Sequence, residues 1–225
     1  MSSSTRELLK WVALICMTFD HVAKVFYAGY VPVLSELGRI AFPLFALVMA
    51  YNLAQPGADV VKSVRRLVAW GVLAQPFHAW AFGYWVPVNV LLAFALAASL
   101  VWCIQRRQWL LAVLCACPAP LLVDYQWTGV ALVVAGWAYY AKVMRTPLPV
   151  VAALVALCWF NGSLWALLAI PVIALGEVAG KAWGAVPRTR RGFYAYYVGH
   201  LALLACVASR PLTSLAGFLE LRPAI

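Results

Sequence analysis

The chain has 225 residues, 66% of them hydrophobic, only 11% charged, and a mean hydropathy of +0.89. A soluble domain carries about 25% charged residues and at most about 50% apolar ones, so this composition excludes an ordinary water-solvated globule and makes lipid the expected solvent. The net charge of +10 does not point to nucleic acid: Arg6, Lys10, Lys62, Arg65, Arg66, Arg106, Arg107, Lys142, Arg145, Lys181, Arg188, Arg190 and Arg191 fall at alternate inter-helix positions, which is the positive-inside pattern of a membrane protein.

At about 20 residues per span, short loops and roughly nine helices fill the chain. The expectation is an all-α polytopic integral membrane protein whose residues 1–225 form a single transmembrane domain. The first span is drawn at about 8–28. Its basic-then-apolar start mimics a signal peptide, but Asp20, His21 and Lys24 interrupt the apolar run and no convincing cleavage site follows, so an uncleaved helix is expected. The second span, about 37–54, opens on Arg39; the third, about 67–84, carries Gln75, Pro76 and His78; the fourth, about 87–104, begins near Asn89. Spans at about 109–123, 127–143, 147–161 and 163–179 follow, with Asp124 closing the first of them. Pro118, Pro120, Pro147 and Pro171 lie in or beside the shorter ones. The stretch 180–191 is the longest polar cytoplasmic connection, and the last span, about 192–209, holds His200 with Tyr196 and Tyr197 on its face. The basic loops place the N-terminus in the cytoplasm and, with nine spans, the C-terminus in the periplasm.

A charged side chain at the bilayer centre costs about 2.5–3.5 kcal/mol on insertion scales, so intramembrane ions face a protein interior or a cavity. Asp20, His21, Arg39, Gln75, His78, Asn89 and Asp124 converge on one outward depth, and His200 sits near the middle of the last helix. His21 is the candidate general base, with Asp20, Lys24 and Arg39 setting its charge and His200 as a second member. Asp20 and Lys24, four residues apart, share a helix face, and Arg39 is another candidate partner for Asp20. The competing reading is a polar clamp between helices. Lys24, Gln75, His78, Asn89, Asp124 and Tyr197 are the expected substrate-facing groups, His78 beside a proline kink that lines a cavity. The arginine pairs Arg65-Arg66, Arg106-Arg107 and Arg190-Arg191 could hold the phosphates of a nucleotide-bearing donor, Arg65, Arg66, Arg190 and Arg191 being the candidates, although topology signalling is the favoured explanation of all three. The six cysteines read as apolar packing residues. No short-spaced metal motif is present, and no metal is expected. P-loop, GxGxxG and GxSxG motifs are also missing, which lowers the standing of ATP-driven transport, dinucleotide chemistry and α/β-hydrolase catalysis.

Six segments taken in order resemble the TraX family of conjugation proteins, which includes the F-pilin acetylase and the TrbP protein of IncP-type plasmids. They are Leu9-Lys10-Trp11 with Asp20-His21, Gly38-Arg39 through Phe45, Gln75-Pro76-Phe77, Asn89-Val90-Leu91-Leu92, Asp124-Tyr125 through Gly129, and Tyr196-Tyr197-Val198-Gly199-His200. The chain departs from the family pattern at Ala93, where a threonine is expected, and at Gly199, where a proline is. TraX proteins are in turn distantly similar to the acyltransferase-3 group, which uses an intramembrane histidine and an arginine. The resemblance implies an acyltransferase-3-like bundle in the bacterial inner membrane, with His21 as catalytic base and Arg39 as its partner. It implies acetyl-CoA as co-substrate and a conjugative pilin as partner among phospholipid, with no nucleic acid. Head-to-tail cyclisation of the pilin is the rival reaction, and a proton-coupled carrier or pilin chaperone the non-enzymatic rival.

Overall fold

The computed structural model describes residues 1–27, 29–182, 186–189 and 191–209. Among these, nine α-helices follow one another: α1 (Ser3–Phe26), α2 (Leu34–Leu53), α3 (Val60–Phe82), α4 (Val90–Gln105), α5 (Trp109–Ala116), α6 (Gln126–Tyr140), α7 (Leu148–Asn161), α8 (Ala169–Ala182) and α9 (Gly192–Ala208). Short 3₁₀ turns at Ala119–Leu122 and Trp165–Leu168 complete the fifth and eighth apolar segments. The only extended pairing among the described residues is an isolated bridge between Val88 and Val123, which ties the start of α4 to the loop before α6.

Two helices start earlier than hydropathy suggests, because capping chemistry rather than apolarity sets their N-termini. The Ser2 hydroxyl accepts the Thr5 N–H at 3.0 Å, so α1 already includes Arg6, Glu7 and Lys10. The Asp59 carboxylate accepts the Lys62 N–H at 2.8 Å, so α3 includes Lys62, Arg65 and Arg66. Gly83, in the left-handed region at φ +78°, ends α3 where a side chain would be strained.

α2, α4 and α6 form the centre, with Leu44, Ala46, Ala98, Val101, Leu132 and Val133 essentially inaccessible. α1 packs on α2 and α8, while α3 packs on α4 and α9. α9 also reaches α1, so the last helix closes against the first. The exterior is apolar: Trp159 is 90% exposed and Leu110 77%, with Leu148, Leu175 and Val178 similarly open. Water-solvated monomers seldom present so much continuous apolar surface. Among the described residues, length and apolarity alone qualify two segments to cross a bilayer, Leu34–Leu53 and Trp165–Ala182. Four shorter apolar helical segments accompany them. α1 is long enough but fails that test, because Arg6, Glu7, Lys10, Asp20 and Lys24 interrupt it. The nine-span expectation therefore exceeds what helix length and apolarity establish.

Candidate functional site

α1 and α9 bring the first and last histidines of the sequence together. His21 Nδ1 lies 2.7 Å from His200 Nε2. Their ring planes differ by 12° and their centroids are 5.0 Å apart, so the rings meet edge to edge with the nitrogens in line. The outer ring nitrogen of His200, Nδ1, is 3.0 Å from the Tyr196 backbone oxygen one turn back. A carbonyl can only accept, so His200 Nδ1 carries the proton and its Nε2 is an acceptor. His21 must then donate from Nδ1, which leaves Nε2 with its lone pair bare. The fold thus fixes one tautomer of His21 through a neighbouring imidazole, in the place where a carboxylate orients histidine in better-known sites.

Aromatic rings surround the pair. Phe82 of α3 stands edge-on to His21 at 5.2 Å between centroids, and Tyr197 stands 6.3 Å from His21 and 5.5 Å from His200. Tyr196 stacks on His200 at 5.2 Å, and its hydroxyl meets Thr18 Oγ1 at 2.8 Å. Because Thr18 Oγ1 donates to the Leu14 carbonyl, the Tyr196 hydroxyl donates to Thr18, a second α1–α9 link. An almost wholly apolar groove of about 390 Å³ runs along Thr18, Val22, Gly199 and Leu203 to His200.

The other expected site residues divide. Lys24 Nζ lies 2.6 Å from Asp20 Oδ2 along α1. Asp20 is 6% exposed, and its Oδ1 has no hydrogen-bond partner, because it packs on Gly38 of α2, where a Cβ would overlap the carboxyl group. Arg39 does not reach Asp20. Successive helical residues point about 100° apart, so with Gly38 facing α1 the next side chain turns away, and Arg39 Nη1 donates to Asn161 Oδ1 of α7 at 3.2 Å. Asp124 accepts the Tyr125 N–H and lies within range of the charges of Lys24, Asp20 and Arg39.

Gln75 and Asn89, expected to face substrate, are consumed by the fold instead. Asn89 is 0% exposed; its Nδ2 donates to the Gly71 carbonyl at 2.8 Å and to Gln75 Oε1 at 2.7 Å, while its Oδ1 caps α4 through the Leu91 N–H. Gln75 Oε1 also accepts the Asn89 N–H, and Gln75 Nε2 donates to the Trp85 carbonyl. A corner with every amide group engaged holds α3 to α4 and has little left for a ligand. His78, 4% exposed, is wedged between Phe82 and Tyr84 and borders neither of the two cavities described here.

At the opposite end of α1 lies a cavity of about 380 Å³ whose lining includes Arg6, Lys10, Arg66 and Arg188, with Glu7 as its one carboxylate. Of the arginines expected to meet a phosphate donor, Arg66 alone lines it; Arg65 and Arg191 are exposed and off it, and Arg190 lies outside the described residues. Arg6, Lys10 and Arg188 carry no local signal of a site, because basic residues flanking apolar runs also mark topology. Arg6 is instead fixed by the Asn52 side chain at 2.6 Å and covers the Tyr51 ring, and Arg188 Nε donates to Ser3 Oγ at 3.0 Å. Glu7 binds Lys10 and accepts the Thr189 N–H at 3.2 Å, tying residues 186–189 to α1.

These features define an all-helical protein with an apolar exterior, an imidazole pair joining its first and last helices, and a cationic cavity behind it. The chain belongs to the TraX family, matching the family described as TraX protein over residues 5–208. It is 33% identical over 223 residues to Protein TraX of Escherichia coli, covering 92% of this chain and 88% of the relative, and equally similar to Protein TraX of strain K12. A further relative, an uncharacterized protein of Rickettsia prowazekii, is 28% identical over 97 residues, covering 43% of this chain and 36% of its own. No solved structure matches the chain.

Proposed function

We propose that the chain is a multi-pass inner-membrane acyltransferase that processes a conjugative pilin, moving the acetyl group of acetyl-CoA to the pilin's N-terminal amine. The observation that carries this reading is the His21–His200 pair, whose geometry leaves a bare imidazole nitrogen, His21 Nε2, in a ring of aromatic side chains. A free α-amine has a reference pKa of about 7.7–8.0, so a neutral fraction with a free lone pair exists near neutral pH and is the species that attacks a thioester. As that neutral nitrogen bonds to the acetyl carbon, His21 Nε2 takes one of its two remaining protons. The carbon–sulfur bond breaks, and the leaving thiolate takes the proton from the imidazolium. In between, the Nδ1–H of the charged His21 is held by neutral His200, which spreads the charge over two rings without a buried carboxylate. Lys24, one turn beyond His21 on α1, is the cation available to the developing oxyanion, whereas Arg39 is turned toward Asn161 of α7.

The family match and the apolar exterior support the membrane setting. On this reading all nine helices cross or pack within the bilayer among phospholipid as one acyltransferase-3-like transmembrane domain. The N-terminus is cytoplasmic and the C-terminus periplasmic, with α1 and α3 burying their charges against neighbouring helices. Mass spectrometry of the cognate pilin from cells with the wild-type protein and with His21→Ala tests the function. Loss of one acetyl mass in the variant supports acetyl transfer, and a gain of one water mass would assign the site to cyclisation. An unchanged pilin mass would refute acyl transfer by this site.

A further inference from the structure

The cavity behind the imidazole pair is long. Ser3, Glu7, Lys10, Leu14 and Met17 of α1 all line it, and fourteen helical steps of rise make it about 21 Å long. A cavity of that length and a volume of about 380 Å³ accommodates an extended chain. Polarity is graded along the same axis. Arg6, Arg66 and Arg188 gather at the end near Ser3, whereas Met17, Phe94 and Tyr197 line the far end. Five of the six α1 residues on the wall, Ser3, Glu7, Lys10, Leu14 and Met17, are spaced four, three, four and three apart, which is one helix face, and Arg6 stands beside it. The next position on that face is His21. Tyr197 lines the cavity and also stands edge-on to both imidazoles, so the end of the cavity away from Ser3 lies beside the candidate base.

We propose that this cavity binds a molecule with a phosphate-bearing head and a single extended chain, the head on Arg6, Arg66 and Arg188 and the tip of the chain at Tyr197. Three guanidinium groups on the lining of one cavity, whose single carboxylate Glu7 is paired with Lys10, suit phosphate oxygens, which a guanidinium can engage two at a time. Arg66 and Arg6 are held ready by the rings of Tyr194 and Tyr51, each with its guanidinium carbon 5.5 Å from the ring centre. A long, mostly apolar bore suits a flexible chain that gives up its freedom only on entry. Two sources share this chemistry, a coenzyme A thioester from the aqueous side and an anionic phospholipid from the membrane. The link to catalysis rests on the acyl-transfer reading above, because a thioester at the tip of the chain would lie beside His21; the binding claim does not depend on it.

The test is equilibrium binding of radiolabelled coenzyme A to the full chain in phosphatidylcholine nanodiscs, which requires no turnover. Wild type and His21→Ala are expected to bind equally, Arg66→Ala and Arg188→Ala each about tenfold more weakly, and Arg65→Ala within about twofold of wild type. Met49→Trp, which narrows the bore from α2, should weaken coenzyme A while leaving adenosine 3′,5′-bisphosphate, the head without the chain, bound as in wild type. Displacement of coenzyme A by added phosphatidylglycerol, with the same dependence on Arg66 and Arg188, assigns the cavity to lipid and keeps the proposal. Absence of binding by both ligands overturns it, as does equal weakening by Arg65→Ala and Arg66→Ala, which would reduce the effect to surface charge. Coenzyme A binding without pilin acetylation would refute the acyl-transfer reading and leave the cavity assignment standing.

Discussion

Replacing His200 with alanine removes the one acceptor available to His21 Nδ1. The histidine left behind is chemically intact, yet nothing holds its proton on Nδ1, so the lone pair is free to move from Nε2 to the wrong side of the ring. During proton uptake the lost interaction is a hydrogen bond from a charged imidazolium, worth about 1.5–3 kcal/mol. At about 1.4 kcal/mol per decade, acetyl transfer by His200→Ala should fall by about 10- to 150-fold in kcat with little change in KM for the amine. His21→Ala, which deletes the base itself, should lose about 10²–10⁴-fold. Because both residues serve one proton, the double variant should be no slower than His21→Ala alone. His200→Gln, whose side-chain oxygen can accept from Nδ1, should recover part of the rate. The assay is transfer of labelled acetyl groups to a pilin peptide by the purified protein in nanodiscs, joined to nitrogen NMR of the imidazoles. Wild type should show His21 protonated on Nδ1, and His200→Ala should lose that signature. Additive losses in the double variant, or a wild-type His21 protonated on Nε2, would refute the tautomer argument.

The helix contacts give three further expectations. Gly38→Ala should lower stability by about 1–3 kcal/mol in thermal unfolding, since its Cβ would overlap the Asp20 carboxyl, whereas Gly199→Ala, whose Cβ meets open space, should be neutral. Asn89→Ala leaves the Gly71 carbonyl and the Leu91 N–H without their side-chain partner, and at about 1–3 kcal/mol for a buried unmet group it should lower the unfolding temperature without a selective rise in substrate KM. Lys24→Met strands the buried Asp20 and should cost about 3 kcal/mol, most of it recovered by adding Asp20→Asn, as denaturant titration of the single and double variants would show.

Local signals were enough to find the helices and to name the costly residues, because apolar runs and prolines act within a few positions of one another. The pairing of His21 with His200 was not legible, since it depends on α9 closing against α1 across 179 positions of sequence, and no local pattern encodes which helices become neighbours. Depth alone drew Arg39 toward Asp20; the rotation that sends it to Asn161 follows only once Gly38 is known to face α1. Gln75 and Asn89 looked like substrate ligands because amides in apolar stretches are costly, and the same cost is met by pairing them with each other and the backbone.

The cavity was missed for a reason that the sequence itself could have corrected. Basic residues before each apolar run were assigned to loops because they mark topology, but the caps at Ser2 and Asp59 extend α1 and α3 through them. Once α1 is allowed to begin at Ser3, positions 3, 7, 10, 14, 17 and 21 fall on one face with alternating steps of four and three. That face is polar at one end, apolar in the middle and ends on a histidine. Glu7 and Lys10 on that face pair with each other and hold residues 186–189 against α1, which leaves Arg6, Arg66 and Arg188 as the unmatched cations of the cavity. On the binding proposal, the order along that face takes in a charged head at the basic end and delivers the tip of a chain to the base.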